Sequence, residues 1–549
     1  MMDGVGSSSL SSNSELAMHA SLSPEHPFLK RHAARIQGVL SCFDRLIFRG
    51  YLPICHRRGL LGWLHHLQVK YRDFKTFAPS LAERLLQHAK DAAKAAGRPY
   101  QYLPTRQPKE ELARQIAAAD GIGEGLVCVF SCLETCRTFR ARYGPGHCEL
   151  KPDLRRCTVL YYFFMDAQFG LVHVKLESWL PLTCQVYVNG HSWLERQLQK
   201  EGIGYQAVDN AFVHIEDLAA AQRLADSLLR QRWARRLSQW ARLVNPLLAD
   251  LLRWPDGKSF EYYWVTDQAE YATDVMFRDR QALAGLYPAL LEHATLAFGS
   301  EDVLRFLGRK PCPAFAGEVQ TERKRLPISE HHGQRIEGVR IKHVMKSNRL
   351  KMYDKAGQVL RIETVINDPT QFRVRRWQNE KHGGRRLAWL PLRKGVAWLW
   401  RYAEVSWAAN RRYLEALAKV EDPGPARQLL DRVCRPARLG GRRRRALQPL
   451  SPQDQALFLA VLRGEHHLQG LRHRDLARQL YRETPRDPGA RRRQSARVTR
   501  LIQLLRAHRI LVKVPRSRRY RLSSDGQRLL NTVVYIRYKH LPKALTGAA

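Results

Sequence analysis

Three strand-like segments follow one another between residues 339 and 366 and decide how this region folds. They read Val339-Arg-Ile-Lys-His-Val-Met345, Leu350-Lys-Met-Tyr-Asp-Lys355 and Val359-Leu-Arg-Ile-Glu-Thr-Val-Ile366. Each segment is rich in β-branched and apolar residues, and Ser347-Asn348 and Ala356-Gly357 supply turn chemistry between them. The pattern therefore predicts an antiparallel meander. Together with the helical patterns on either side, it indicates an α+β, multidomain protein.

The charge balance around this meander is strongly basic. The 549 residues contain 92 Lys and Arg against 51 Asp and Glu, a formal charge of +41, with an ordinary hydrophobic fraction of 44%. A basic surface on a chain that can bury a core indicates a polyanionic partner, nucleic acid above all, because each cation placed on a phosphate releases a counterion. The sequence has no run of about 18 apolar residues, the length that a membrane helix needs, so no membrane partner is expected. Ten irregularly spaced cysteines favour a reducing, cytoplasmic location.

The C-terminal segment has its own pattern of short elements. Amphipathic helices are predicted at Gln453–Leu462, Leu471–Tyr481 and Ser495–His508, followed by two strands at Ile510–Pro515 and Arg519–Ser523. A third helix followed by two strands with a basic turn is typical of a winged helix-turn-helix. The segment resembles the winged-helix regulators of bacteria over about 85 residues, which implies DNA binding.

Basic residues concentrate in this same segment. Between residues 425 and 520 there are 25 Arg or Lys against six Asp or Glu. Such a concentration is what a nucleic-acid-binding face requires. The predicted DNA-binding residues are Arg491, Arg492, Arg493, Arg497 and Arg500 near the start of the third helix, and Arg516, Arg518 and Arg519 on the wing. A protein-binding winged helix with a solvated basic face is the alternative.

The organisation of the whole chain follows from these patterns. We predict a disordered tail at 1–27, a mixed α/β domain at 28–225, a helical segment at 226–310, the β-meander plus a long helix at 311–420, a basic linker at 421–448 and the winged helix-turn-helix at 449–549. Residues 261–277 mix aromatic and acidic side chains. We interpret them as a helix burying Tyr262, Val265 and Ala269, in preference to an acidic pocket within a positive groove.

The meander also carries a candidate reaction centre. Strand alternation places Lys351, Tyr353 and Lys355 on one face, and Arg361 and Glu363 on one face of the next strand. A tyrosine beside two lysines is suited to nucleophilic attack on a phosphodiester. These residues resemble the Tyr-x-Lys and Arg-x-Glu strands of rolling-circle plasmid and filamentous-phage replication initiators. The resemblance implies Tyr353 as nucleophile, Lys351 and Lys355 as its electrostatic support and Arg361 as a phosphate clamp.

Glu363 and His343 would serve at this centre as metal ligands or as general bases, with Mg²⁺ or Mn²⁺ as the expected ion. The initiators carry a His-hydrophobic-His pair of metal ligands on one strand. This sequence lacks the pair, and the nearest candidates, His173 and His343, each stand alone on a predicted strand. Zinc is not expected, because Cys128, Cys132 and Cys136 lack Cys-x-x-Cys spacing. In the alternative interpretation, the meander residues form a cross-strand ion-pair ladder that performs no chemistry.

A second metal-ion mechanism is open to other carboxylates. A transposase with an RNase-H-like core needs three acidic residues that converge on magnesium ions. The candidates on or beside predicted elements are Asp44, Asp166, Glu177, Glu270 and Asp274.

Three hypotheses of function result. The first is a DNA-binding protein of a bacterial mobile element, a transposase or replication initiator with nuclease activity that cuts or joins DNA. The second is a non-enzymatic winged-helix transcriptional regulator in which residues 28–420 form a homo-oligomerisation or ligand-sensing body. The third is a structured-RNA-binding protein, because a basic surface does not distinguish duplexes.

Overall fold

The structure is a computed structural model of the full chain. It describes residues 22–144, 147–208, 210–296, 298–310, 319–325, 339–380, 383–418, 420, 431–462, 470–481, 483, 485–515 and 517–540. The tail prediction therefore falls largely outside the described residues, as does the first part of the linker. The described residues form both helices and strands, which confirms the α+β class.

The helices, numbered along the chain, have the following bounds: α1 Pro27–Arg31, α2 Arg57–His66, α3 Phe74–Ala95, α4 Lys109–Ala119, α5 Gly190–Lys200, α6 Leu218–Ser227, α7 Trp233–Val244, α8 Leu247–Asp250, α9 Arg280–Ala284, α10 Tyr287–Leu296, α11 Ser300–Phe306, α12 Leu399–Leu417, α13 Pro452–Leu462, α14 His473–Leu480, α15 Pro488–Ala507 and α16 Ser524–Tyr535. None of these helices combines the length and the apolar character that a membrane span requires.

The strands have the following bounds: β1 Ile36–Tyr51, β2 Tyr100–Tyr102, β3 Gly125–Gly144, β4 His147–Asp166, β5 Gly170–Glu177, β6 Cys184–Asn189, β7 Tyr205–Val208, β8 Ala211–Ile215, β9 Tyr263–Phe277, β10 Val319–Arg325, β11 Val339–Met345, β12 Asn348–Lys355, β13 Val359–Ile366, β14 Arg373–Asn379, β15 Arg385–Pro391, β16 Ala437–Leu439, β17 Arg442–Arg444, β18 Leu471–Arg472, β19 Leu511–Lys513 and β20 Arg519–Leu522.

Eleven strands form one sheet in the order β10-β11-β12-β13-β9-β1-β6-β5-β4-β3-β2. The predicted meander is present: β11 pairs antiparallel with β12, and β12 neighbours β13. A tight turn joins β4 to β5, with Asp166 opposite Gly170. The short edge strand β2 pairs parallel with β3. This sheet carries the carboxylates described below.

One strand order occurs twice in this sheet. In the first part of the chain, β1 is followed by helices and then by β3 to β6, and β6 returns to lie beside β1. In the second part, β9 is followed by helices and then by β10 to β13, and β13 returns to lie beside β9. The sequence itself shows no repeat, because the recurrence lies in the connections and not in residue identity.

The helix predicted within residues 261–277 is wrong. These residues form β9, which lies between β13 and β1 inside the sheet. Tyr262, Val265 and Ala269 are buried as expected, but so is nearly every residue from Ala269 to Phe277. A strand that is covered on both faces has no alternation of polar and apolar residues, so its sequence does not separate it from a buried helix.

Aromatic side chains build much of the core near the first strands. Phe169, from the turn between β4 and β5, packs against Trp193 of α5 and against Trp233 and Trp240 of α7, with ring centroids 4.8–5.5 Å apart. Aromatic pairs in such tilted and edge-on arrangements stabilise a core beyond the area that they bury. This cluster holds α5 and α7 against the face of the sheet.

A second aromatic cluster lies among α11, β11 and α12. Phe298, Phe306 and Tyr413 approach one another edge to face, with centroids 5.0–5.3 Å apart. His343 of β11 lies beside them, and its Nε2 is 3.0 Å from the Tyr413 hydroxyl oxygen. Tyr402 and Tyr413 of α12 are therefore core residues, whereas Trp400 and Trp407 are only half-buried.

The C-terminal segment folds as a small body of helices around a three-stranded sheet. Its elements follow in the order α13, β18, α14, α15, β19, β20 and α16, and the sheet order is β18-β20-β19. The predicted helices and both predicted strands are present, although α15 begins at Pro488, seven residues earlier than expected. Asp487 caps α15 by accepting a hydrogen bond from the Ala490 amide, and Pro488 stands at its first position, both strong helix-start signals.

Candidate metal centre

Asp44 lies in the middle of β1 and is almost completely buried. Its Oδ1 is 3.1 Å from Nδ1 of His191 and accepts a hydrogen bond of 2.9 Å from the Asn210 side-chain amide. His191 stands at the start of α5, and its Nε2 is 3.5 Å from the sulfur of Cys42. The carboxylate is thus held in one orientation by two side chains that sequence reasoning did not identify.

Gly190 makes the close approach of α5 to β1 possible. A Cβ atom at Gly190 would lie 2.0 Å from the carbonyl oxygen of Phe43, so only glycine lets α5 approach β1 this closely. Asn189 caps the helix by accepting a hydrogen bond from the Ser192 amide. The run Asn189-Gly190-His191 directly after a buried strand is the sequence signal that could have pointed to this contact.

Glu270 lies on β9, the neighbour of β1, and is also buried. Its Oε1 accepts a hydrogen bond from the Gln268 side chain and lies 3.9 Å from the Arg45 guanidinium. Burial lowers the pKa of Arg45, but the acidic groups around it, Glu270 and Asp44 among them, outweigh burial, and the net shift of the pKa is upward. Arg45 therefore remains a cation beside two buried carboxylates.

Glu363 lies on β13, the other neighbour of β9, and its side chain is fully buried. Its Oε2 accepts a hydrogen bond of 2.8 Å from the Tyr353 hydroxyl and one of 3.1 Å from the Lys351 ammonium. The predicted clustering of Lys351, Tyr353 and Glu363 is therefore present. In this geometry the tyrosine is a hydrogen-bond donor that orients the carboxylate.

The three carboxylates converge on one point. Asp44, Glu270 and Glu363 each offer an oxygen, and these oxygens all lie within 4.8 Å of one another. Three buried acidic groups at this distance repel one another unless a cation lies among them. An all-oxygen donor set suits Mg²⁺ or Mn²⁺, whereas zinc sites are built mainly from Cys and His. The described residues therefore contain a buried group of three carboxylates that could hold a metal ion.

A cavity of about 350 Å³ opens beside Asp44. The residues that line it include Asp44, Arg45, Glu110, Arg114, His191 and Asn210. Glu110 and Arg114 form a salt bridge of 2.7 Å on α4. Of the three carboxylates, only Asp44 is among the residues that line this cavity.

Arg361, predicted as a phosphate clamp, lies in an environment that a phosphate would not reach. Its guanidinium is fully buried and donates two hydrogen bonds of 2.7 Å, through Nε and Nη2, to the two carboxylate oxygens of Asp274 on β9. A bidentate pair of this kind fixes the two strands against each other. The geometry favours a structural role for both Arg361 and Asp274.

His343, proposed as a metal ligand of the tyrosine centre, is not part of the carboxylate cluster. His343 is buried in the aromatic core beside Tyr413, and burial lowers its pKa to about 3. This places the ring among core groups and not with the carboxylates. Lys355 is half-buried at the end of β12.

The other acidic candidates have local roles. Asp166 closes the turn between β4 and β5 by accepting hydrogen bonds from the amides of Gln168 and Phe169. Glu177 ends β5, where burial raises its pKa. Of the five carboxylates considered for a magnesium-dependent core, the structure brings together Asp44 and Glu270, and it adds Glu363 from the tyrosine hypothesis.

The cysteines do not form a metal site in the described part of the chain. The one ligand cluster found there is the carboxylate group. Cys128, Cys132 and Cys136 are buried on β3, and burial raises the pKa of Cys128 to about 12, so this thiol stays protonated. Buried thiols of this kind behave as small apolar side chains.

The predicted DNA-binding arginines lie on exposed surface. Arg491, Arg492, Arg493, Arg497 and Arg500 of α15 are all exposed, whereas Val498, Ile502 and Leu505 form the buried face of the helix. On the wing, Arg518 is exposed, Arg519 is half-buried, and Arg516 lies outside the described residues.

Comparison of this chain with protein-family models, with curated proteins and with solved structures finds no match.

Proposed function

We propose that this chain is a cytoplasmic, metal-dependent enzyme of a mobile element that cuts or joins DNA. The observation that carries the proposal is the convergence of Asp44, Glu270 and Glu363. A bound Mg²⁺ or Mn²⁺ supplies Lewis-acid polarisation of a phosphodiester, which is the chemistry that a DNA-processing enzyme needs. The three carboxylates would hold the ion.

The surrounding side chains support this role. His191 and Asn210 orient Asp44, and Tyr353 and Lys351 orient Glu363. Such partners of metal ligands fix the direction of the ligand oxygen, and their loss typically costs about 10- to 100-fold in metal affinity or activity. Arg45 lines the cavity and supplies a positive charge that would attract a phosphate group.

The metal-ion mechanism is favoured here over tyrosine nicking. Tyr353 is only 7% exposed, and its hydroxyl donates to Glu363. A nucleophile needs access to the scissile phosphate, and the geometry gives Tyr353 a positioning role instead. The nucleophile would then be water or a DNA 3′-hydroxyl, and not the tyrosine phenolate.

The C-terminal body supplies the second part of the proposal. Its order of elements, helix, strand, two helices, two strands and a closing helix, supports the interpretation as a winged helix-turn-helix. In that motif the third helix enters the major groove, and here this helix is α15, which presents five exposed arginines. The body would bind the DNA site on which the metal centre acts.

The test is cleavage of DNA that carries the gene's own flanking sequence, supplied as supercoiled plasmid and as single strands, with MgCl₂ or MnCl₂. We expect metal-dependent nicking or strand transfer that Asp44→Asn, Glu270→Gln and Glu363→Gln each abolish. Glu177→Gln is the matched control, because it neutralises a buried carboxylate outside the cluster. Metal-independent cleavage, or equal loss in the control, would contradict the proposal.

The tyrosine alternative has its own readout. Tyr353→Phe should lower the rate about 10- to 100-fold without abolishing it, because the variant loses one hydrogen bond to Glu363. Detection of a covalent protein–DNA adduct that this variant lacks would instead support tyrosine nicking.

A non-enzymatic regulator is the second candidate, and the same arginine-bearing winged body favours it. It would bind DNA with an affinity that falls as salt rises and would show no cleavage under any of these conditions.

A further inference from the structure

The hairpin of β14 and β15 forms a two-stranded sheet of its own, apart from the eleven-stranded sheet. The strands pair antiparallel from Arg373 opposite Pro391 to Asn379 opposite Arg385. Gly383 and Gly384 follow the turn with φ of 91° and 89°, a conformation that favours glycine. The hairpin is thus a defined element that sequence reasoning did not predict.

One face of the hairpin is anchored to the protein. Val374 is buried on this face, and the Leu392 amide, just after β15, donates a hydrogen bond of 2.9 Å to the carbonyl oxygen of Phe372. The Arg401 guanidinium donates to the carbonyl oxygen of Arg375 at 3.1 Å. A two-stranded hairpin is only marginally stable alone, so these contacts hold it in place.

The opposite face is exposed and has an unusual composition. Directly opposed residues point to the same side, so Arg375 with Trp389 and Trp377 with Leu387 share this face. Trp377 is 62% exposed and Trp389 61% exposed. Large indole rings are rarely left this open on a protein surface without a partner.

All charged residues on this face of the hairpin are basic. Arg373, Arg375 and Arg385 lie on it, all exposed. The Arg373 guanidinium also donates to the Trp389 carbonyl oxygen at 3.1 Å, so it lies against the β15 backbone. A second copy of the same face would place arginine against arginine, whereas a polyanion would complement it.

We propose that this hairpin face binds single-stranded DNA, with unpaired bases stacked on Trp377 and Trp389 and phosphates held by Arg373, Arg375 and Arg385. The two tryptophans occupy diagonal positions, where side chains stand about 7–8 Å apart and each ring can take a base. Paired bases hide their faces inside the duplex, so stacking selects an unpaired strand. The inference deepens the proposed function and rests on it, since it names the strand that the enzyme engages.

Binding of fluorescein-labelled oligo-dT to the full chain tests the proposal, measured by anisotropy in EDTA so that catalysis plays no part. Each of Trp377→Ala and Trp389→Ala should weaken binding about 5-fold or more, and the double variant by about the product of the two losses. Trp377→Phe with Trp389→Phe should recover part of the loss, because a smaller aromatic ring still stacks. Arg375→Ala should reduce the salt dependence of binding by about one counterion.

Trp254→Ala is the matched control, because Trp254 is 44% exposed outside the hairpin and should leave binding unchanged. Full oligo-dT affinity in the double tryptophan variant would overturn the hairpin proposal and leave the metal centre untouched. Oligo-dT binding that stays intact in the carboxylate variants would support the proposal, because the hairpin face then binds the strand without the metal centre. Tighter binding of oligo-U than of oligo-dT would overturn the assignment to DNA. Self-association of the chain that the tryptophan variants abolish would show that a second copy occupies the face.

Discussion

The buried pair of Arg361 and Asp274 gives a sharp test of the distinction between a structural arginine and a phosphate clamp. Arg361→Met removes the cation and leaves the Asp274 carboxylate in a site without solvent. The variant loses two charge-assisted hydrogen bonds of 2.7 Å and keeps the desolvation penalty of the remaining charge. Breaking a buried ion pair on one side typically costs about 3–5 kcal/mol.

The expected result is a fall of about 3–5 kcal/mol in the free energy of unfolding, measured by urea denaturation followed by tryptophan fluorescence. Asp274→Asn should cost a similar amount. The double variant Arg361→Met with Asp274→Leu should recover much of the loss, because two apolar groups leave no buried charge unpaired.

The matched control is Arg84→Met, which breaks the exposed salt bridge between Arg84 and Asp250. This exposed pair should contribute about 0–1 kcal/mol. If Arg361→Met were as stable as Arg84→Met but had lost affinity for DNA, the structural reasoning would be refuted and Arg361 would be a phosphate ligand.

The remaining predictions concern pH and salt. Burial lowers the pKa of His173 and His293 to about 4 and that of His343 to about 3, so these groups bind protons mainly in the unfolded state. Stability should therefore fall as pH drops below about 6.5, by up to about 1.4 kcal/mol per pH unit for each histidine, in urea titrations at several pH values. Burial raises the pKa of Asp226 to about 7, so its stabilising contribution is lost as pH rises through that value, and Asp226→Asn should unfold at higher urea than the parent chain above pH 7. Arg497→Ala should weaken duplex binding similarly for all sequences and reduce the salt slope in gel-shift titrations by about one; an unchanged slope would mean that Arg497 contacts no phosphate.

Local signals predicted part of the fold well. The meander at residues 339–366 and the short elements after residue 452 each have turn residues or caps at their ends, and both are present. β9 was missed because a strand buried on both faces lacks the period-2 pattern. The hairpin at residues 373–391 was missed because its strands carry arginine and tryptophan without a regular alternation of polar and apolar residues.

The candidate site was harder to predict, for a different reason. Asp44, Glu270 and Glu363 are separated by more than ninety residues at each step along the chain. No local motif connects them, and only the strand order β13-β9-β1 brings them together. The sequence identified all three as candidates, but it divided them between two mechanisms.

Duplication and fusion of a shorter gene would account for the strand order that occurs in β1 to β6 and again in β9 to β13. An ancestor with one copy would have assembled the sheet from two identical subunits. Identical subunits necessarily carry the same side chains at equivalent positions. Fusion removes that constraint. One copy now contributes Asp44 from its first strand, and the other contributes Glu270 and Glu363 from its first and last strands. A single chain can thus hold one asymmetric group of carboxylates where a symmetric dimer would have been obliged to build two.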